Sequence, residues 1–226
     1  MIKILVNGAS GKMGQVTVAA IHAATDLTLV GTCGAADNLN NQLEHYKPDV
    51  VIDFTLPHVV FDNTCTIIEH GARPVIGTSG LIESQLDTIT KMCAEKKLGG
   101  IYAPNFSLGA ALMIKYATDA ARYFDYADII EMHHEKKVDA PSGTAAHTRH
   151  SMLQTNSNIK NDLPIHSVRL PGLFAHQVVT FGSLGETLTI RHDALDRQCM
   201  MPGVLLACRT VNQLDHFVVG LETILF

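Results

Sequence analysis

The stretch EMHHEKKVDAPSGTA, Glu131 to Ala145, crowds two histidines, two lysines and three acids together ahead of a Pro-Ser-Gly-Thr turn. His133, His134 and Lys137 are groups that hold protons and positive charge. A reduction needs both, because a hydride arriving at an unsaturated acceptor leaves negative charge for an acid to quench. Ser142, Gly143 and Thr144 follow Pro141 as a helix start. Its free N–H groups and the Thr144 hydroxyl suit a carboxylate, and a doubly acidic substrate would need such donors around it. The competing reading is a solvated charged turn closed by a Ser cap. Zinc chemistry fits less well. Val138 stands where H-E-x-x-H requires its second histidine, and the His147–His150 pair has no third ligand placed by spacing.

The elements that would carry this cluster divide in two. From the start, apolar β-rich runs alternate with helical periodicity: strands at 2–6, 27–33, 49–54, 74–77 and 100–103, helices at 13–24, 59–70 and 82–97. Between them lies a polar patch, AADNLNNQLEHY. Alternation of this kind predicts an α/β fold, a Rossmann-like doubly wound parallel sheet with helices on both faces. After Pro104 the rhythm changes. A helix at 108–124, a strand at 127–134 and a helix at 142–153 precede three strand-like runs at 165–170, 176–182 and 186–191. Successive strands without intervening helices predict an α+β region with an open mixed sheet. The polar run 154–163 reads as a surface loop, and roughly the last 30 residues as helical. The expected domains are 1–105, completed by roughly 198–226, and 106–197.

The first strand runs into NGASGKMG, which sets Gly8, Gly11 and Gly14 between a strand and a helix. A dinucleotide fold needs small residues there, so that the chain turns tightly and backbone N–H groups approach a pyrophosphate at the positive end of a helix. The spacing is G-x-x-G-x-x-G, which a strand–helix turn without a ligand could also show. The end of the second strand reads Cys33-Gly34-Ala35-Ala36-Asp37. Asp37 is a candidate acid for a ribose hydroxyl but falls late, and no Arg or Lys that would favour a 2′-phosphate occurs from Met13 to Tyr46, leaving Lys12 on the glycine turn as the only base. The spacing leaves NADH and NADPH both open.

The 226 residues carry a net charge of −5 with 46% hydrophobic and 17% charged residues, an ordinary globular balance without a basic stripe for nucleic acid. The five cysteines are widely spaced with no C-x-x-C, which argues against a disulfide framework and fits a reducing cytoplasm. No apolar run approaches the ~20 residues of a membrane span.

The cluster resembles the signature E-x-H-H-x-x-K-x-D-A-P-S-G-T-A of the 4-hydroxy-tetrahydrodipicolinate reductase (dihydrodipicolinate reductase) family, with every fixed position present. NGASGKMG, VIDFT at 51–55, VIGTSG at 75–80, APNFSLG at 103–109 and SVR at 167–169 agree in order, so the resemblance spans nearly the whole chain. It implies NAD(P)H-dependent reduction of a small cyclic dicarboxylate in lysine and diaminopimelate biosynthesis, in a cytoplasmic homotetramer built through the second domain. Gly8, Ala9, Ser10, Gly11, Lys12 and Met13 would hold the pyrophosphate. Gly77, Thr78 and Ser79 would line the cofactor groove, and Ala103, Pro104, Asn105 and Phe106 would sit beside the nicotinamide. His133 would be the proton donor or acceptor and Lys137 a second proton donor. His134, Gly143 and Thr144 would bind substrate carboxylates, and no metal takes part. Two departures stand out. The segment between the second strand and VIDFT is short for the family, with Ala35 and Ala36 where a ribose-reading acid often stands, and SVRLPGLFAHQ replaces a more glycine-rich run. The rivals are another Rossmann reductase acting on a different imine or carbonyl acid, and a nucleotide-sensing regulator without turnover.

Overall fold

The structure, a computed structural model, describes residues 1–157 and 159–226. Asn158, inside the run read as a surface loop, lies outside the described residues. The chain divides into two compact units, Met1–Phe106 with Met200–Phe226, and Ser107–Cys199.

The first unit begins with β1 (Ile2–Asn7), α1 (Lys12–Ala23), β2 (Leu27–Cys33), α2 (Leu39–Tyr46), β3 (Val50–Asp53), α3 (Val60–Glu69), β4 (Arg73–Ile76), α4 (Glu83–Lys96) and β5 (Gly100–Tyr102). It ends with α7 (Met201–Val211) and β10 (Phe217–Val219). Its six strands run parallel in the order β10-β5-β4-β3-β1-β2. Ile4, Leu5, Val6, Val50, Val51 and Ile52 are fully buried. Such uninterrupted apolar strands are stable only when helices cover both faces of the sheet. β1 has β2 on one side and β3 on the other, so the connections diverge at its carboxyl end. That divergence opens a crevice in doubly wound sheets.

Two elements differ from the sequence reading. The polar patch contains α2, started by the Asn38 side chain accepting from the Asn41 N–H at 3.1 Å. Only Leu43 of this helix is buried, in a cluster with Leu5, Val51 and Ile67, so its apolar periodicity is too faint to read. The C-terminal run, read as helical, supplies α7 and also β10, which pairs with β5 at the sheet edge.

The second unit contains α5 (Leu108–Ala120), β6 (Tyr126–His133), α6 (Gly143–Thr155), β7 (Ile165–Arg169), β8 (Ala175–Ser183) and β9 (Glu186–Ala194). Its sheet is mixed, in the order β7-β6-β8-β9, with β7 parallel to β6 and the other pairs antiparallel. Ala127, Ile129, Val179 and Phe181 project from this sheet onto Ala117, Ala145 and Met152. A buried side chain the size of Phe181 contributes about 1.5–3 kcal/mol by leaving water. Ile159 and Leu163 join the same core, so part of the run read as surface loop is anchored inside.

The strand registers place Ser167, Glu131, Gln177 and His192 opposite one another across β7, β6, β8 and β9. Glu131 and Gln177 of this row are buried. Gln177 Nε2 donates to Thr148 Oγ1 at 2.8 Å, and His192 Nε2 lies 3.0 Å from the buried Ser107 hydroxyl that caps α5. His192 is half-buried and packs against Gly109. A buried polar row costs free energy unless every member finds partners. This one sits at the end of the sheet where the histidine–lysine segment leaves β6.

Candidate active site

In the first unit, a cleft of about 780 Å³ opens at the carboxyl ends of the parallel strands. Gly8, Ser10, Gly11, Lys12 and Met13 of the glycine turn line it, together with Gly77, Thr78 and Ser79 after β4. Asp37 and Cys33 from the end of β2, and Phe54 and Thr55 from the end of β3, complete its walls.

The turn needs its glycines. Gly8 has φ +82°, in the left-handed region, and a Cβ there would strike the Phe54 carbonyl. A Cβ on Gly14 would run into the Gly8 carbonyl oxygen, so α1 packs directly on the turn that starts it. Gly11 caps α1 without a side-chain hydrogen bond, and the first turn contains no acid. The N–H groups at this helix start therefore favour an anion, the feature a dinucleotide pyrophosphate uses. These residues fit a nicotinamide dinucleotide.

Beneath the cleft, Asp53 is fully buried at the end of β3. Its carboxylate accepts from Asn7 Nδ2 (2.9 Å), Thr55 N (3.0 Å), Thr55 Oγ1 (2.6 Å), Thr78 Oγ1 (2.7 Å) and Asn63 Nδ2 (3.1 Å). Five donors on one buried carboxylate tie the ends of β1, β3 and β4 and the start of α3 into one frame. Ala9 and Ala103 to Phe106 do not line the cleft. Ala103 and Phe106 are buried, with Phe106 edge-on to Phe54 at 6.1 Å between ring centres, while Pro104 is exposed and Asn105 half-buried. Asp37, which falls late in the sequence for a ribose-reading acid, reaches the cleft because its carboxylate folds back onto the Gly34 N–H at 2.7 Å.

In the second unit, His133 ends β6 and its Nδ1 lies 2.5 Å from Glu131 Oε2. Glu131 is fully buried. Arg169, opposite His133 on β7, reaches both carboxylate oxygens, Nη1 to Oε2 at 2.9 Å and Nη2 to Oε1 at 2.8 Å. The Ser142 N–H donates to Oε1 at 3.2 Å. Burial alone would raise the Glu131 carboxyl, but hydrogen bonds from Arg169, Ser167 and His133 and the guanidinium charge outweigh it and hold the group at about 2. For His133, burial dominates and lowers the imidazole below its usual range. Glu131 opposes this, while Lys137 and Arg169 add to it.

Lys137 extends from the turn after His134, where its own N–H donates to the His134 carbonyl at 3.1 Å, and its Nζ meets Asp139 Oδ1 at 2.7 Å. Ser142 caps α6, its hydroxyl accepting from the Ala145 N–H at 3.2 Å. Gly143 and Thr144 form the first helical turn, again without an acid. Gly143 is exposed, and a Cβ added to it would meet nothing within 4 Å. One carboxylate thus connects the proton-holding imidazole to the start of an anion-favouring helix. Glu131 and Arg169 had no role in the sequence reading. Both lie in motifs singled out there, but only the β6–β7 register brings them together. Among the described residues, no group of three or more His, Cys, Asp or Glu could hold a metal ion.

Comparison with known proteins gives concordant results over both units. Residues 2–106 match the family model described as dihydrodipicolinate reductase, N-terminus, and residues 109–225 the one described as dihydrodipicolinate reductase, C-terminus. A 4-hydroxy-tetrahydrodipicolinate reductase of Coxiella burnetii (strain Dugway 5J108-111) is 53% identical, covering 99% of each chain. One from Legionella pneumophila subsp. pneumophila (strain Philadelphia 1) is 47% identical with the same coverage. The solved dipicolinate-bound dihydrodipicolinate reductase from Paenisporosarcina sp. TG-14 superposes with a TM-score of 0.89 at 38% identity, again covering 99% of both chains. With both family models matched and such identity over the full chain, the protein belongs to the dihydrodipicolinate reductase family.

Proposed function

We propose that the chain catalyses the NAD(P)H-dependent reduction of 4-hydroxy-tetrahydrodipicolinate to tetrahydrodipicolinate, a step of lysine and diaminopimelate biosynthesis. Bound reduced nicotinamide supplies a hydride. The ring gains that hydride and a proton, and its 4-hydroxyl leaves together with a hydrogen of the adjacent ring carbon as water.

The glycine turn, Gly8 to Met13, holds the pyrophosphate on the N–H groups that start α1, and Gly77, Thr78 and Ser79 form the opposite wall. Ala9 contributes backbone to the same turn, and Ala103 to Phe106 support the nicotinamide end. Gly143 and Thr144 bind one substrate carboxylate through the start of α6, and His134 a carboxylate through its ring. His133 and Lys137 are the catalytic residues. His133 exchanges a proton at Nε2, because Nδ1 is committed to Glu131. Lys137 brings an ammonium donor to the charge that develops on the ring. The observation that carries this reading is the shared Glu131 carboxylate, which joins the His133 ring to Ser142 at the start of α6. NADH and NADPH both serve in this reading, since Asp37 and Lys12 both face the cleft.

A cytoplasmic homotetramer, with no nucleic acid or membrane partner, completes the proposal. It is supported by five free cysteines, by the exposure of Tyr126 and Ile130 on the β6 face turned away from the core, and by the absence, among the described residues, of a helix long and apolar enough to cross a membrane. The test follows NADH absorbance with freshly generated substrate and purified protein. Substrate-dependent oxidation is expected, and none above background would overturn the proposal.

A further inference from the structure

The Glu131 carboxylate is engaged at both oxygens, with Ser167 among its donors. Oε2 accepts from His133 Nδ1 and Arg169 Nη1, and Oε1 from Arg169 Nη2 and the Ser142 N–H. An ionised carboxylate only accepts, so the ring nitrogen facing it must carry the hydrogen. The neutral ring is then the Nδ1–H tautomer, with its lone pair at Nε2. The guanidinium is itself fixed, Nη1 donating to the Val168 carbonyl at 2.8 Å and Nη2 to the Asp139 carbonyl at 2.7 Å. The carboxylate therefore cannot swing away from either ligand.

We infer that Glu131 is a positioning residue for this reductase: one oxygen fixes the tautomer and ring angle of His133, while the other holds the start of α6 in place for a substrate carboxylate. The inference rests on the function proposed above and adds to it a single group that governs both proton transfer and substrate binding. It requires a carboxylate. A glutamine here would aim its NH2 at one pair of donors. Turned towards His133, that NH2 would force Nδ1 to accept and move the ring hydrogen to Nε2. Turned the other way, it would push against the Ser142 N–H and the guanidinium. A purely structural ion pair would tolerate either tautomer.

The experiment uses the full chain labelled with 15N-histidine, the His133 signals being assigned by their loss in His133→Gln. In the unsubstituted protein the neutral His133 ring is expected to show N–H character at Nδ1. Finding the hydrogen at Nε2 would overturn the inference, and this arm needs no variant to fold. In Glu131→Gln the ring signals should move towards the Nε2–H form. With His133 acting as an acid, kcat/KM falls as pH rises through its pKa. Loss of the neighbouring negative charge should carry that limb to lower pH, with a loss of about tenfold or more at neutrality. The dissociation constant for NADH should stay within about twofold, and Glu131→Asp should restore the Nδ1–H tautomer. An unchanged tautomer and pH profile in a folded Glu131→Gln protein would also overturn it. If the protein shows no reductase activity at all, the proposed function fails, while the tautomer measurement still reads out the Glu131–His133 relation.

Discussion

Arg169 meets the Glu131 carboxylate side-on, with Nη1 2.9 Å from Oε2 and Nη2 2.8 Å from Oε1. A bidentate pair of this kind around a fully buried acid makes folding depend on pH. Glu131 titrates at about 2 in the folded chain against an ordinary value of 4.5. Its folded pKa is depressed, so its stabilisation is complete above about 4.5 and is lost as pH falls towards 2. The shift corresponds to about 3 kcal/mol. Urea unfolding at a series of pH values should show the protein's advantage over Glu131→Gln shrinking through this window. A gap independent of pH would contradict the assignment.

Gly143 separates folding from binding. A Cβ there meets nothing within 4 Å of the protein, and the residue sits in the first turn of α6. Alanine is favoured over glycine in a helix by about 0.5–1 kcal/mol, less at an end. Gly143→Ala should therefore keep or slightly raise the melting temperature while raising KM for the dicarboxylate about tenfold or more, because the methyl occupies the approach to the helix N–H groups. An unchanged KM would remove α6 from the substrate site.

His133→Gln and Lys137→Met should each cut kcat by about 10²–10⁴-fold, the range for a lost general acid. NADH affinity should barely move, since the cleft that fits the dinucleotide is lined by residues of the first unit alone. Isothermal titration with NADH beside steady-state kinetics distinguishes the two. Parallel losses in affinity and turnover would mean damage to folding instead.

Asp53 is the corresponding anchor for the cofactor cleft. Asp53→Ala strips a buried acceptor from Asn7, Thr55, Asn63 and Thr78 at once. Unpaired buried donors cost about 1–3 kcal/mol each, with partial relaxation. Thermal denaturation should show a clear drop in melting temperature, and fluorescence titration an NADH dissociation constant raised about tenfold. If stability and affinity both stay at the unsubstituted level, the frame around β1, β3 and β4 does not depend on this carboxylate.

Asp37 is the residue through which the proposed balance between the two coenzymes can be tested. Its carboxylate faces the cleft at the end of β2, where it favours a ribose hydroxyl over a phosphate. Both NADH and NADPH should bind, with a ratio below about a hundredfold, ~2.7 kcal/mol. Asp37→Ser should move the ratio towards NADPH. Parallel titrations that leave the ratio unmoved would show that this acid does not read the ribose.

How much of this was legible depends on which force shaped each element. The strands IKILV and VVID announce themselves because burial on both faces selects runs of apolar residues, Ile4 to Val6 and Val50 to Ile52. The glycine turn is legible for steric reasons: Gly8 and Gly14 stand where a Cβ would collide with backbone. The short helix Leu39–Tyr46 is not legible, since one buried leucine leaves no period to detect. Nor is the three-residue strand Phe217–Val219, whose conformation comes from pairing with β5 and not from its own residues. In the candidate site, the histidines, the lysine and the Ser-Gly-Thr corner show in the sequence because they are close along it. The link between Glu131 and Arg169 spans 38 positions and exists only through strand register. Asp53 and Thr78 are likewise joined only when β3 and β4 lie side by side.

The edge strand β10 comes last in the order of strands, after the entire second unit. A ribosome making this chain therefore releases five strands of the first sheet long before the sixth exists. Until then β5 has an open side, able to recruit a stray strand from a neighbouring nascent chain. The nucleotide-binding sheet is therefore complete only once Phe217–Val219 has been made, and a chain stopped before those residues would lack its edge strand.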